Sequence, residues 1–105
     1  MTNLDGNLDH AFADDLQRLQ TALDDGIEIH ILRYARRLQD NCDQVDDSLE
    51  IQWQRLKIKM LNDYYVNELT EWEYNFLNSL ELREKILTEK QNAALDRIYN
   101  KIMEA

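Results

Sequence analysis

The sequence predicts an all-α protein: a small helical bundle with a long central helix and a C-terminal helical hairpin. Proline is absent from the 105 residues and glycine occurs only twice, whereas the turns of a sheet protein draw heavily on both residues. Apolar residues also recur at steps of three and four, which is the spacing of one helix face. At this length we expect a single domain over residues 1–105.

The first helix is predicted to begin at Leu8, because residues 1–7 are polar and are expected to be flexible. Asp9 is expected to cap this helix or to lie in its first turn. Asp24-Asp25-Gly26 should end it, since glycine accepts the left-handed conformation that follows many helices. The apolar face consists of Leu8, Phe12, Leu16, Leu19 and Leu23.

The central helix is predicted from an apolar stripe that runs without a break from Ile27 to Tyr64. Its spacing favours one continuous or merely bent helix over residues 27–64. The alternative is a break near residues 40–48, where Asp, Asn and Ser favour caps and turns. Asp47 and Glu50 could then open a new helix with a capping box, which would give five helices instead of four. The stripe consists of Ile27, Ile31, Tyr34, Leu38, Cys42, Val45, Leu49, Trp53, Leu56, Met60 and Tyr64.

The C-terminal hairpin is predicted from a helix-start signal that occurs twice. Thr70 with Glu73, and Thr88 with Gln91, have the spacing of capping boxes, in which each side chain bonds the backbone N–H of the other residue. Because Trp53 and Trp72 both fall on apolar stripes, we expect both in the core. The apolar faces behind the two boxes are Trp72, Phe76 and Leu80, and Leu95, Ile98 and Ile102.

The charge is strongly acidic, with 21 acidic against 12 basic residues, and the excess lies in the first half. Residues 1–50 hold twelve acids and four bases, whereas residues 51–105 hold nine and eight. Such a surface repels nucleic acid and anionic lipid and steers basic partners inward, although acidic surfaces also simply keep small proteins soluble. The candidate partner-binding acids are Asp14, Asp15, Asp24, Asp25, Asp40, Asp43, Asp46 and Asp47.

Three tyrosines beside the stripes, Tyr65, Tyr74 and Tyr99, are candidate interface residues, provided that they cluster on the outside. Arg33, Arg36 and Arg37 share a helix face and could contact phosphates together. The net charge of −9 opposes binding driven by counterion release, so direct DNA binding is the less favoured interpretation.

The sequence predicts no enzyme, no catalytic residue, no metal and no cofactor. His10 and His30 lie outside any spacing that would place two ligands on one helix face. The acidic stretch from Asp40 has Val45, rather than glycine, at the sixth position of a calcium loop. Cys42 is the single cysteine, which suits a reducing cytoplasm. We expect neither a signal peptide nor a membrane span, because residues 1–6 lack a basic start followed by an apolar run and no apolar run reaches the length of a spanning helix.

One resemblance is carried by Leu69-Thr70-Glu71-Trp72-Glu73-Tyr74-Asn75-Phe76-Leu77, by Leu87-Thr88-Glu89-Lys90-Gln91 and by Leu95-Asp96-Arg97-Ile98-Tyr99. This part of the chain, residues 69–103, resembles a small helical hairpin that recurs in phage and mobile-element proteins and often accompanies DNA-handling proteins. The resemblance implies a phage-like or mobile-element context. It also implies a packing role for Trp72, Phe76, Leu95 and Ile98.

These observations together favour a non-enzymatic, cytoplasmic interaction protein, an inhibitor or adaptor whose acidic half binds a basic surface of a nucleic-acid-handling protein complex. The alternative is a structural homodimer whose two chains pack along the stripe from Ile27 to Tyr64. A direct DNA-binding accessory protein is a third hypothesis. No membrane partner is expected.

Overall fold

The computed structural model describes residues 2–81 and 87–104, with side chains described from residue 8 to 80 and from 87 to 104. These residues form five α-helices and no strand, which confirms the all-α prediction. The chain divides into two compact units, Met1–Leu56 and Lys57–Ala105, so a single domain over residues 1–105 stays a prediction. The helices are α1 Thr2–Asp25, α2 Glu28–Asn41, α3 Asp47–Lys59, α4 Glu71–Glu81 and α5 Glu89–Met103.

Helix α1 begins at Thr2, well before the predicted start at Leu8, so Asp9 lies inside the helix and the prediction that it caps the helix is wrong. The flexibility expected of residues 1–7 stays a prediction. Gly26 ends the helix as predicted, with a φ of +68° that suits glycine. Its N–H donates to the Leu23 carbonyl, and the Ile27 N–H donates to the Ala22 carbonyl. This pair of bonds is a Schellman motif, which satisfies carbonyls at the helix end.

Helices α1 and α2 pack against each other as a helical hairpin around the Gly26 turn. From α1, Phe12, Leu16 and Leu19 are buried as the periodicity predicts. From α2, Ile31 and Leu38 are buried, and Ala35 lies between them on the same face. The first unit therefore obtains its core by closing the two apolar faces on each other.

The central helix is broken, so the prediction of a continuous helix over residues 27–64 is wrong and the alternative break is confirmed. Helix α2 ends at Asn41, a 3₁₀ turn covers Cys42–Gln44, and α3 begins at Asp47. A carboxylate oxygen of Asp46 accepts from the Ser48 N–H at 2.8 Å, which caps α3 one residue before the predicted cap. This local bond competes with the continuing helix, and it outweighs the apolar periodicity.

Helix α3 is followed by a π-helical turn, Met60–Tyr64, and a 3₁₀ turn, Val66–Glu68, where the sequence predicted the helix to end. Trp53 is fully buried, as predicted, and its indole Nε1–H donates to Gln39 Oε1 at 3.0 Å. In the second unit, the Asn62 amide donates to Asn78 Oδ1 at 2.6 Å and joins the π-helical turn to α4.

Both predicted capping boxes are present. At α4 the Thr70 N–H donates to Glu73 Oε1 at 2.8 Å, and the Glu73 N–H donates to Thr70 Oγ1 at 3.1 Å. At α5 the Thr88 N–H donates to Gln91 Oε1 at 3.0 Å, and the Gln91 N–H donates back to Thr88 Oγ1 at 3.2 Å. Each box therefore satisfies two donors that a helix start would leave bare.

An ion pair joins the start of α4 to the end of α5. Lys101 Nζ lies 2.6 Å from Glu73 Oε1 and 2.7 Å from Glu73 Oε2. Burial by itself raises the pKa of Glu73, but hydrogen bonds from Lys101 and Thr70 outweigh it and hold that pKa below its usual range. Because the first turn of one helix meets the last turn of the next, α4 and α5 form the predicted C-terminal hairpin.

Trp72 lies on the outside of α4, and its predicted place in the core is wrong. Its relative exposure is 63%, while Leu77 and Leu80 are buried. Glu73, Leu77 and Leu80 are spaced by four and three residues, so they form the inward face of α4. Trp72 lies about 100° round the helix from Glu73 and therefore outside that face. Leu95, Ile98 and Ile102 of α5 are buried as predicted.

Candidate partner-binding surface

Seven of the eight candidate acidic residues are exposed. Asp24 and Asp25 stand beside the Gly26 turn, and Asp14 lies on α1. The remaining four lie in residues 40–47, which run from the end of α2 to the first residue of α3 and which we term the acidic connection. These four residues are Asp40, Asp43, Asp46 and Asp47.

Asp15 is the exception, and its assignment to the partner-binding surface is wrong. Its side chain is only 7% exposed, and its Oδ2 lies 3.2 Å from Arg37 Nε. Burial raises the pKa of Asp15, and the nearby Arg37 and Arg18 guanidinium groups offset part of that rise. Asp15 therefore joins α1 to α2 within the unit. It lies beside Phe12 and Leu16 on the inward face, which explains its burial.

The backbone of the acidic connection is fixed by local hydrogen bonds. The Asn41 amide donates to the Arg37 carbonyl at 2.9 Å, and the Cys42 thiol donates to the Gln39 carbonyl at 3.4 Å. At the other end, the Asp46 carbonyl accepts from the Leu49 and Glu50 N–H groups, both at 3.0 Å. The connection therefore holds its acidic side chains on an ordered turn.

The four carboxylates of the acidic connection have different electrostatic surroundings. Asp46 and Asp47 lie at the positive end of the α3 dipole, which stabilises an anion. Asp40 lies in the last turn of α2, where the dipole opposes an anion, and α2 has no basic residue in that turn. Among the described side chains, no ion pair reaches any of the four. The negative charge of the connection is therefore left to solvent or to a partner.

No group of three or more His, Cys, Asp or Glu side chains in the described part of the chain could hold a metal ion. None of the described helices has the length and hydropathy needed to cross a bilayer. His10 and His30 are exposed, and the His30 ring meets Tyr34 edge-on at 6.4 Å between centroids. Cys42 is half-buried.

The tyrosine candidates do not cluster on the outside. Tyr65 and Tyr99 are each 5% exposed, so their assignment as surface aromatics is wrong, while Tyr74 is 42% exposed. The buried positions of α5 include both Ile98 and its neighbour Tyr99, because that helix buries a face wider than the predicted stripe. Tyr65 follows the π-helical turn and meets the Tyr64 ring edge-on at 4.9 Å.

The three arginines proposed to contact phosphates are not equivalent. Arg33, Arg36 and Arg37 are all exposed on α2, but Arg37 forms the ion pair with Asp15. Only Arg33 and Arg36 remain outside the ion pairs of the described residues. The basic surface is therefore smaller than the sequence spacing predicted.

A buried lysine was missed by the sequence prediction. Lys57 is 2% exposed, its Nζ lies 2.8 Å from Asp96 Oδ1, and the same atom lies 5.4 Å from the centroid of the Tyr99 ring. These contacts join α3 to α5 within the second unit. Lys57 lies between the apolar residues Leu56 and Ile58, and this placement is the sequence signal that could have identified it.

The exposed Trp72 ring also escaped the sequence prediction as a surface feature. It stacks on Phe76, with ring centroids 5.1 Å apart and planes 5° from parallel. The spacing of Glu73, Leu77 and Leu80 could have indicated this outcome, because it defines a buried face that excludes Trp72.

Comparisons with known proteins found no matching family model, no matching curated protein and no matching solved structure. The resemblance of residues 69–103 to a hairpin of phage and mobile-element proteins therefore stays a prediction.

Proposed function

We propose that this protein is a non-enzymatic interaction protein whose acidic first unit binds a basic surface on a protein partner, as an inhibitor or adaptor. The observation that carries the proposal is the acidic connection, where four exposed carboxylates lie along the end of α2, the turn after it and the start of α3, with no ion pair among the described side chains. A partner bearing Lys and Arg would supply the missing counter-charges.

The placement of Asp40 gives further support. Asp40 lies two residues after Leu38, in the last turn of α2, where the helix dipole disfavours a carboxylate. A capping role accounts for Asp46, but it does not account for Asp40 or Asp43. Acidic residues at positions that cost helix stability are expected where a surface is shaped for binding.

In a phage-like or mobile-element context, the partner would be a protein of a nucleic-acid-handling complex. Such proteins carry basic surfaces for phosphates, and an ordered set of carboxylates can compete for those surfaces. Capture with the tagged protein from host lysate, in the presence of nuclease, would supply the partner for kinetic tests.

Neutralising the acidic connection is expected to slow association with that partner. The variant combines Asp40→Asn, Asp43→Asn and Asp47→Asn and retains Asp46, because Asp46 caps α3. We expect the association rate constant to fall by about tenfold at low salt, with a weaker dependence on salt. Stopped-flow or surface-based kinetics across a salt series measures both quantities.

The matched control combines Glu28→Gln, Glu89→Gln and Glu104→Gln, which removes the same charge from exposed sites outside the candidate partner-binding acids. It is expected to change the rate by less than about threefold, since charges remote from a contact contribute only a screened field. Equal effects of the two variants would assign the steering to net charge rather than to the acidic connection. An unchanged rate in both would contradict the proposed function.

A second candidate function is a structural homodimer, but along a different face from the predicted stripe. The stripe residues Ile31, Leu38 and Trp53 are buried within one chain. By contrast, Ile29 is 66% exposed and Leu32 is 37% exposed, on the outer face of α2. Their spacing of three residues places them side by side, as in a helix–helix contact.

The homodimer is tested by sedimentation equilibrium at micromolar concentration. If α2 forms the contact, the wild-type mass is twice 12.6 kDa and Ile29→Glu returns it to 12.6 kDa. Thr21→Glu, at an exposed position of α1, is the control and should leave the mass unchanged. A wild-type mass of 12.6 kDa would eliminate this candidate.

A further inference from the structure

We infer that the stacked Trp72 and Phe76 rings, which we term the aromatic ridge, receive an arginine side chain from a basic segment of a protein partner. The ridge lies on α4 in the second unit, and none of its residues belongs to the acidic connection. The inference therefore adds a second contact surface to the proposed function and specifies the side chain that it recognises.

The Trp72 side chain is accessible to a partner. Trp72 is 63% exposed, whereas the other tryptophan, Trp53, is fully buried. Tryptophan offers the largest apolar surface of any side chain, and it is enriched among residues that dominate binding energy. Phe76 is half-buried beneath it, so the ridge combines a solvent-facing ring with an anchored one.

The aromatic ridge is also well ordered. The two rings are nearly parallel, with planes 5° apart and centroids at 5.1 Å. The helix that carries them is fixed at its start by the Thr70–Glu73 box, so the backbone under Trp72 is held in place. A ring that is already positioned loses little conformational entropy when a partner binds.

The charge around the aromatic ridge favours a cationic side chain. Residues 60–81 contain no Lys or Arg, while Asp63, Glu68 and Glu71 are exposed acids within that segment. Glu73 is already neutralised by Lys101. Glu68 lies four residues before Trp72 in the sequence, and Glu71 lies one residue before it. The segment that carries the aromatic ridge therefore supplies carboxylates and no cation.

The chemistry of this surface favours arginine over lysine. A guanidinium group is planar and weakly hydrated, so it can stack on an indole ring while its N–H groups reach a carboxylate. An ammonium group is compact and strongly hydrated, and it cannot stack. The partner is therefore a protein segment in which arginine alternates with apolar side chains, because apolar neighbours would cover the rest of the ridge.

The test uses the 105-residue protein and a fluorescein-labelled, amidated peptide of alternating leucine and arginine, with binding followed by fluorescence anisotropy. We expect saturable binding that Trp72→Ala weakens by about tenfold. Tyr74→Ala, which removes another exposed aromatic of α4, should change the affinity by less than about twofold. A matched peptide with citrulline in place of arginine should bind at least about tenfold more weakly, because citrulline keeps the shape without the charge.

Three outcomes would overturn the inference: equal affinities of wild type and Trp72→Ala, equal affinities for the arginine and citrulline peptides, or no binding up to roughly millimolar protein. The variant of Asp40, Asp43 and Asp47 separates this inference from the proposed function. If that variant binds the peptide more weakly while Trp72→Ala binds it with wild-type affinity, the peptide binds the acidic connection and not the aromatic ridge. Far-ultraviolet circular dichroism of each variant checks that the helices are retained.

Discussion

Trp53→Ala is expected to lower the free energy of unfolding by about 3 to 5 kcal/mol. The side chain is fully buried, so the substitution removes a large apolar group and leaves a cavity. It also removes the indole N–H that donates to Gln39 Oε1 at 3.0 Å. Urea denaturation followed by circular dichroism measures the loss.

Trp72→Ala is the matched control, since it removes the same side chain from a site that is 63% exposed. The control should cost less than about 1 kcal/mol, because it loses only the stacking on Phe76 and leaves no internal cavity. Similar losses for the two variants would contradict the opposite placement of the two tryptophans.

Asp96→Asn is expected to destabilise the protein by about 2 to 3 kcal/mol. Lys57 Nζ lies 2.8 Å from Asp96 Oδ1, and the lysine side chain is only 2% exposed. The substitution removes the negative charge opposite a buried ammonium group while leaving the volume unchanged. The expected loss is smaller than for a fully buried pair, because Asp96 itself is 37% exposed and water can reach its carboxylate.

Substitution of the other partner, Lys57→Met, separates the effect of the buried charge on stability from the effect of side-chain packing. It leaves Asp96 partly solvated and replaces the ammonium with an apolar end of similar length, so we expect a change within about 1 kcal/mol. Urea denaturation of both variants at neutral pH measures this asymmetry. Equal losses would mean that Lys57 acts through its packing rather than through its buried charge.

Much of the fold could be predicted because local signals agreed with the final packing. The Thr70–Glu73 and Thr88–Gln91 boxes form as their spacing indicates, and Gly26 ends α1. These motifs depend on hydrogen bonds within a few residues, so the sequence contains all their partners.

The break in the central helix shows where local signals competed. The apolar stripe continues through residues 40–48, but Asp46 supplies a side-chain acceptor to the Ser48 N–H. Periodicity records which face is apolar and not whether the backbone between apolar residues is helical. Competition from the side-chain hydrogen bond of Asp46 therefore determined the backbone conformation here, as side-chain bonds do at many helix starts.

The surface was harder to predict because burial depends on neighbours distant in sequence. Asp15 was counted with Asp14 as an exposed acid, but Arg37 lies opposite it across the α1–α2 hairpin. The positive charge of Lys57 favours an exposed position, although its side chain is buried against Asp96. Most of the other acids were correctly expected outside, since an aspartate without a counter-charge rarely enters a core.

The ion pair of Lys101 with Glu73 changes what the capping box of α4 does. A capping box normally fixes one helix end, and loss of its bonds lets that end alone fray. Here the same carboxylate also binds Lys101, 28 residues further along the chain. Fraying of the first turn of α4 would therefore also break the contact with Lys101 in the last turn of α5. The capping box of α4 thus also closes the chain loop between Glu73 and Lys101, and the entropy cost of closing that loop opposes both contacts of the Glu73 carboxylate.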